Sequence, residues 1–407
     1  MSERRSALRR QLPIYGAGVF SNSNVTIASL IVPLWAVHLG LSPTVIGILL
    51  GARHVPGLLF AIHGGVLMDR FGTRSPMIFF AVLAVLVPLL FPAMPWVWAL
   101  IVLQMIWGMT TTMTWIGAQT AVGQLMRGST RHAGRLSVAV RVGMLAGPPL
   151  AGYGWDLWGA WGGFGAISLW STGLLLSCIL LPKTDMERPG ASVRAFRWAD
   201  LIPRVSDYVS AMRMLSVPAV AICAYLSAIR IGSYGIQESF YIVYLERIGM
   251  SGTEIGLLAG TGHSLLGAVG ALIVGMAPAM GSIHRQLWMF LVTLGVAIVL
   301  LAVTPMMNLF WPLFAAITLR GLLLGFNQPL MISIMSAATD PGSQGMTVGL
   351  RTTLNRAASV LVPVLMGLIV DELGIEAGFY AIGGFLLLCC LLTGTMLVRC
   401  QRRGEID

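Results

Sequence analysis

Charge is what this 407-residue chain has least of. Asp, Glu, Lys and Arg make up 10% of it, against roughly 25% for a soluble domain. Residues 11–52, 75–126, 157–182, 255–284, 286–319 and 377–398 contain none of the four. Runs of that length suit a bilayer, where each span needs about 20 largely apolar residues. Lysine is nearly missing, with Lys183 the one lysine among 26 basic residues. The five cysteines (Cys178, Cys223, Cys389, Cys390 and Cys400) lie in or near apolar runs. Their spacing suits neither a disulfide framework nor a metal site, so they read as small apolar filler. The loops lack a P-loop, a metal-ligand cluster and a nucleophile motif, and no polar stretch is long enough to fold as a catalytic domain. An enzyme is therefore not expected, and neither is a cofactor or a metal.

Splitting the apolar runs at proline, glycine and charge clusters predicts an all-α membrane protein of twelve spans. They lie near 13–38, 43–68, 76–95, 97–122, 136–157, 160–182, 216–245, 252–276, 287–305, 309–336, 346–370 and 376–398. Nineteen of the 26 basic residues fall in the N-terminus, the even-to-odd turns and the C-terminus; Arg247 alone falls in the opposite turns. The positive-inside rule then places both termini in the cytoplasm, in an inner (plasma) membrane. The arginine-rich start followed by an apolar run lacks a small-residue cleavage site and is long enough to remain as a span. The net charge of +10 reads as a topology signal. Anionic lipid at the inner face, and not nucleic acid, is the partner it implies.

The chain repeats itself. At a separation of 209, Gly40, Ser42, Thr44, Ile46, Gly47, Leu49, Gly51 and His54 match Gly249, Ser251, Thr253, Ile255, Gly256, Leu258, Gly260 and His263. At 215, Arg141, Pro148, Gly152, Asp156 and Gly159 match Arg356, Pro363, Gly367, Asp371 and Gly374. Two pseudo-symmetric six-helix bundles are expected, 1–182 and 215–407, with an axis along the membrane normal. A cytoplasmic linker, 183–214, joins them. Its apolar residues recur at helical spacing among arginines, which suits either a helix on the inner membrane surface or a solvated tether.

One charged turn stands out between two charge-free runs: Gly65-Val-Leu-Met-Asp69-Arg70-Phe-Gly72-Thr-Arg74. It resembles the signature loop of the major facilitator superfamily, G-x-L-x-D-R-x-G-x-R. Gly65, Leu67, Asp69, Arg70, Gly72 and Arg74 all fit, and Thr73 departs from the family's usual basic residue. The resemblance implies a secondary transporter, working as a monomer by alternating access. Asp69 would meet the start of span 11 near 345–347, a helix N-terminus that favours a carboxylate. The matching stretch of the second half, 275–281, has lost its acid, so an asymmetric cytoplasmic gate is expected.

Six arginines fall inside predicted spans: Arg53, Arg141, Arg230, Arg320, Arg351 and Arg356. Each charge at mid-span costs about 2.5–3.5 kcal/mol, so each should face water or a partner. Glu238 is the one carboxylate equally deep, and the excess of cations implies an anionic solute held by guanidinium. On span 7, Arg230, Tyr234, Glu238 and Tyr241 form one stripe; on span 10, Arg320 and Asn327 share a face. Arg53, Arg230, Tyr234, Arg320 and Asn327, with Arg141 and Arg356 as gate or binding residues, are the candidate solute contacts. Asn22, Asn24, Gln104 and Gln119 add polarity from spans 1 and 4. Glu238 is the candidate for proton coupling or else a fixed partner of Arg230; His54 and His263 are the other titratable candidates.

Span 5 carries Gly143-Met-Leu-Ala-Gly147-Pro148-Pro-Leu-Ala-Gly152. This is similar to the G-x-x-x-G-P-x-x-G-G motif of proton-driven exporters in the same superfamily, with Ala151 replacing one glycine. Small residues at four-residue spacing permit close helix contact, which suits a leak-proof seal. The exporters' arginine on span 4 is missing from Leu103-Gln104-Met-Ile-Trp-Gly108, and Arg320 on span 10 could substitute. The expected function is proton-coupled export of a small organic, anionic solute. Import or exchange of an organic anion is the second reading, and a membrane sensor without flux the third.

Overall fold

The computed structural model describes residues 2–59, 73–125, 130–182, 212–276, 282–338 and 344–406. Residues 65–72 of the signature turn, among them Gly65, Leu67, Asp69, Arg70 and Gly72, lie outside these, as do the linker 183–211 and the side chain of His263.

The described chain is helical throughout: α1 Ser2–His38, α2 Pro43–Ala52, α3 Arg74–Ala93, α4 Val97–Leu125, α5 Thr130–Leu180, α6 Pro218–Gln237, α7 Phe240–Arg247, α8 Gly252–Met276, α9 Ile283–Ala302, α10 Phe310–Ala338, α11 Gln344–Leu373 and α12 Ile375–Arg402. Nine helices among the described residues are long and apolar enough to cross a membrane, counting α6 with α7 as one. One of them, Val138–Leu180, is 43 residues long. It breaks into two arms at Trp158 and Gly159, where Gly159 has φ +58°. The chain is thus a multi-pass membrane protein.

Glycine in the left-handed region ends several of these helices, because a Cβ disfavours that conformation. Gly40 (φ 67°) and Gly249 (φ 84°) are repeat partners, and so are Gly159 and Gly374 (φ 85°). Gly40 closes α1 with Leu41 N–H on Ala36 O at 3.1 Å, a Schellman-type end. The repeated glycines are therefore repeated turns.

By its packing the chain divides into two compact units. One comprises Met1–Leu41, Ala52–Ile202 and Gly249–Gly260; the other comprises Ser42–Gly51, Pro203–Ile248 and Thr261–Asp407. In the first, α1 packs along α5, and α3 packs between α4 and α5. In the second, α9 packs on α10 and α12, and α6 lies against α11 and α12. Gln11–His38 and the α6–α7 pair are the most enclosed spans. By contrast, α3, the second arm of α5, α9 and α12 expose Phe79, Leu86, Leu169, Leu176, Val292, Phe385 and Leu391. Apolar side chains so displayed suit contact with lipid, and the arginines of α3, α9 and α12 lie only near the helix ends. Exposed Trp96, Trp98, Trp158, Trp161 and Trp311 all sit at or beside turns on the end opposite the basic turns, the end that the positive-inside expectation makes the outer one. Tryptophan there suits the membrane–water boundary.

Two spans break at charged candidates. The helix of 43–59 opens into a turn at Arg53 and His54, and α6 and α7 part at Glu238 and Ser239, the latter at φ −128°, ψ −91°. The stripe expected on span 7 is therefore interrupted, with Tyr234 half-buried and Tyr241 fully buried on either side of the break.

Candidate functional site

In the first unit, Arg53 is 7% exposed. Its Nη1 donates to Ser29 Oγ at 2.6 Å and its Nε to His54 Nε2 at 3.0 Å. Ser29 in turn donates to Val25 O at 2.8 Å. The break at Arg53 lies against α4 at a bare backbone: a Cβ on Gly108 would stand 1.8 Å from Arg53 O. Nearby polarity is only partly matched. Ser171 Oγ donates to Asn24 Oδ1 at 3.3 Å, while Asn24 Nδ2 and both amide atoms of fully buried Gln104 have no hydrogen-bond partner. Arg141 is half-buried on α5.

The second unit gathers Arg230, Tyr234, Arg320 and Asn327 on α6 and α10. Arg320 is 1% exposed. Its Nε donates to Ala297 O at 3.2 Å, and its Nη2 donates to Ser233 O at 3.0 Å and Ser233 Oγ at 2.6 Å. Its Nη1 is buried without a partner. Fully buried Asn327 accepts from Thr293 Oγ1 at 2.6 Å, and its Nδ2 is left over. Arg230 is half-buried, donates from Nη2 to Gln328 Oε1 at 3.3 Å, and keeps an unpartnered Nε. The phenol of Tyr241 is likewise buried and unpaired. Arg351 reaches Met331 Sδ at 3.4 Å, and Arg356 is half-buried on α11. Glu238 sits half-buried at the α6–α7 break. Arg74, at the start of α3, donates to Ile179 O at 2.7 Å.

Sequence reasoning did not single out Ser29, Ser233 or Gln328. Serine on a membrane helix is common and carries no charge to flag it. The available signal was spacing: Ser233 follows Arg230 by three residues, and Gln328 follows Asn327 directly.

The glycine-proline motif of α5 packs closely against its neighbours. A Cβ on Gly143 would stand 2.2 Å from Val19 O, and one on Gly147 2.6 Å from Ile27 Cδ1. Within the same unit, a Cβ on Gly152 would stand 2.0 Å from Gly252 O, and one on Gly256 2.5 Å from Pro148 O.

The Major Facilitator Superfamily profile matches residues 14–275 and 224–404. The chain belongs to the major facilitator superfamily. Among curated proteins it is similar to the multidrug resistance protein MdtG of Serratia proteamaculans (strain 568), 26% identical over 166 residues, which is 40% of this chain and 39% of that protein. MdtG of Citrobacter koseri (strain ATCC BAA-895 / CDC 4225-83 / SGSC4696) matches at 26% over 166 residues, 40% of each chain. The match thus spans about two-fifths of these relatives' length. Among solved structures the superfamily fold recurs in the nucleoside transporter NupG, with TM-score 0.77, 12% identity, and 95% of this chain and 99% of that one covered. It recurs in a bacterial homologue of the human lysosomal transporter Spinster, with TM-score 0.70, 15% identity and coverages of 99% and 98%. It recurs again in the peptide transporter POT in complex with alafosfalin, with TM-score 0.73, 17% identity and coverages of 98% and 95%. The three solved structures are themselves named as transporters, or as a homologue of one.

Proposed function

We propose that this transporter exports a small organic anion in exchange for protons, by alternating access, in the inner membrane with both termini cytoplasmic. The observation that carries the anionic cargo is a surplus of donors. In the second unit Arg230 Nε, Arg320 Nη1 and Asn327 Nδ2 are buried without acceptors, and each can donate but not accept. Buried donors left unmet are costly, so a site that presents several is complementary to a solute bearing acceptors, carboxylate or phosphate first. Tyr234 would border that solute, with Arg53, Arg141 and Arg356 lining its path.

Export is favoured by the α5 seal and by the similarity to proteins named for multidrug resistance. Glu238, at a break in span 7, is the proton-coupling candidate, with His54 and His263 as further titratable groups. Broken helices are where transporters of several folds place their binding and coupling groups. Gly65, Asp69, Arg70, Gly72 and Arg74 would form the cytoplasmic gate, with Gly143, Gly147, Pro148 and Gly152 as the rigid seal.

The test is flux in proteoliposomes with pH gradients of both signs and labelled carboxylate or phosphate solutes. Antiport predicts solute movement against the proton flow. Co-directional movement would favour an importer, and binding without flux a sensor.

A further inference from the structure

Two aspartates stand apart from the proposed solute and proton groups. Asp156 and Asp371 are repeat partners at the outer ends of α5's first arm and α11. Each closes on the start of a helix from the other half of the sequence.

Within the first unit, Asp156 Oδ1 accepts Gly252 N–H at 2.6 Å, and Oδ2 accepts Thr253 N–H at 2.8 Å and Thr253 Oγ1–H at 2.5 Å. The rest of that helix start is met locally. Ser251 Oγ accepts Glu254 N–H at 3.2 Å, and Glu254 Oε2 accepts Ser251 N–H at 2.9 Å, a capping box. Ile255 N–H reaches Ser251 O at 3.0 Å. Every amide from Ser251 to Ile255 is thereby satisfied, but two of them only by Asp156.

Within the second unit, Asp371 Oδ2 accepts Thr44 N–H at 2.8 Å. Ser42 Oγ takes Val45 N–H at 3.4 Å, and Ser42 O takes Ile46 N–H at 2.9 Å. Of the two bonds missing here, the backbone one has a simple cause: Pro43 stands where the repeat has Gly252, and proline has no N–H; the other is the hydroxyl bond that Thr253 makes to Asp156.

Below each carboxylate the backbones touch. In the first unit Gly152, Gly256 and Gly260 meet Gly252 O, Pro148 O and Leu145 O. In the second, Gly47, Gly51 and Gly367 meet Pro363 O, Val360 O and Pro43 O. All six added Cβ atoms would stand within 2.9 Å of a carbonyl oxygen. The packing boundary in each span lies just beyond, at Gly51–Ala52 and Gly260–Thr261. The outer segments 42–51 and 249–260 are therefore bound to the unit opposite the rest of their span.

We infer that Asp156 and Asp371 are positioning residues of the transport cycle: two latches that hold the outer ends of α8 and α2 closed and release when the outer side opens. A carboxylate on a helix N-terminus gains from the dipole and from charged hydrogen bonds. It is also reversible, because the freed amides can turn to water. The glycine contacts supply shape and the carboxylates the hold. The latches are unequal, with three bonds against one, so Asp156 is the dominant one.

This rests on alternating access but needs neither solute nor protons to test, so its failure is separable from failure of the proposed function. Ile255 and Ile46, repeat partners 0% and 2% exposed, serve as reporters when changed to cysteine. The full-length protein in right-side-out vesicles is treated with a membrane-impermeant maleimide, and labelling is read at the reporter by peptide mass. Leu313→Cys, at the outer start of α10 and buried, is the control. Asp156→Asn is expected to speed labelling at Ile255→Cys about tenfold, and Asp371→Asn to speed it at Ile46→Cys by about threefold, with the control unchanged. Should Asp156→Asn not fold, Thr253→Val is read instead; it keeps the carboxylate and loses one bond, and about threefold is expected. Labelling as slow as in the parent would overturn the proposal. So would a rise that the control shares, because general loosening would then explain it.

Discussion

Arg320 shows most plainly what single residues contribute. All its hydrogen bonds end on uncharged oxygens of Ala297 and Ser233. A buried charge without a counter-ion is a liability to stability, and an apolar residue of similar volume is often neutral or stabilising. Arg320→Met is therefore expected to keep or raise the melting temperature in detergent while abolishing transport. A large fall in melting temperature would make Arg320 a brace and nothing more. Arg230 is held by one long bond to Gln328 and is half-buried, so Arg230→Gln should leave melting unchanged. It should raise the apparent KM for an anionic solute about tenfold, the loss of roughly 1.4 kcal/mol of binding. The arginines themselves were legible in the sequence because charge in an apolar run cannot be overlooked. Their partners were not, since Ser29, Ser233 and Gln328 become special only through the rotamers that guanidinium adopts in the fold.

Helices were legible to the extent that composition dictates them. The division between spans 5 and 6 fell where Gly159 takes its left-handed φ. The breaks at Arg53–His54 and Glu238–Ser239 were not foreseen, because no proline or glycine occupies those positions and apolar periodicity runs straight through them. Close helix approach was half legible: the motif glycines of α5 announced it, whereas Gly108 and Gly325 did not. A Cβ on Gly108 would stand 1.8 Å from Arg53 O, and one on Gly325 2.3 Å from Gly267 O. Both obstacles are backbone and cannot rotate away. Gly108→Ala and Gly325→Ala should each destabilise the protein by about 1–3 kcal/mol, read by thermal unfolding. Ala at Gly165, where an added Cβ meets nothing within 4 Å, should be silent in the same assay.

For the whole molecule, internal repetition was legible in the sequence, and the structure gives it physical content. Repeat partners Gly40 and Gly249 make the same turn, and Asp156 and Asp371 cap the same kind of helix start. The halves differ in charge: the unmet donors of α6 and α10 include the guanidinium groups of Arg230 and Arg320, whereas those of α1 and α4 are the uncharged amides of Asn24 and Gln104. Exposed apolar side chains on α3, α9, α12 and the second arm of α5 account for the scarcity of charge in the sequence.

The most direct measurement of the account is thermal unfolding of the purified protein across a panel of organic anions, neutral compounds and cationic drugs. A donor-rich site predicts that carboxylates or phosphates raise the melting temperature, and that Arg230→Gln removes the rise. Stabilisation by cationic drugs alone, unaffected by Arg230→Gln, would contradict it.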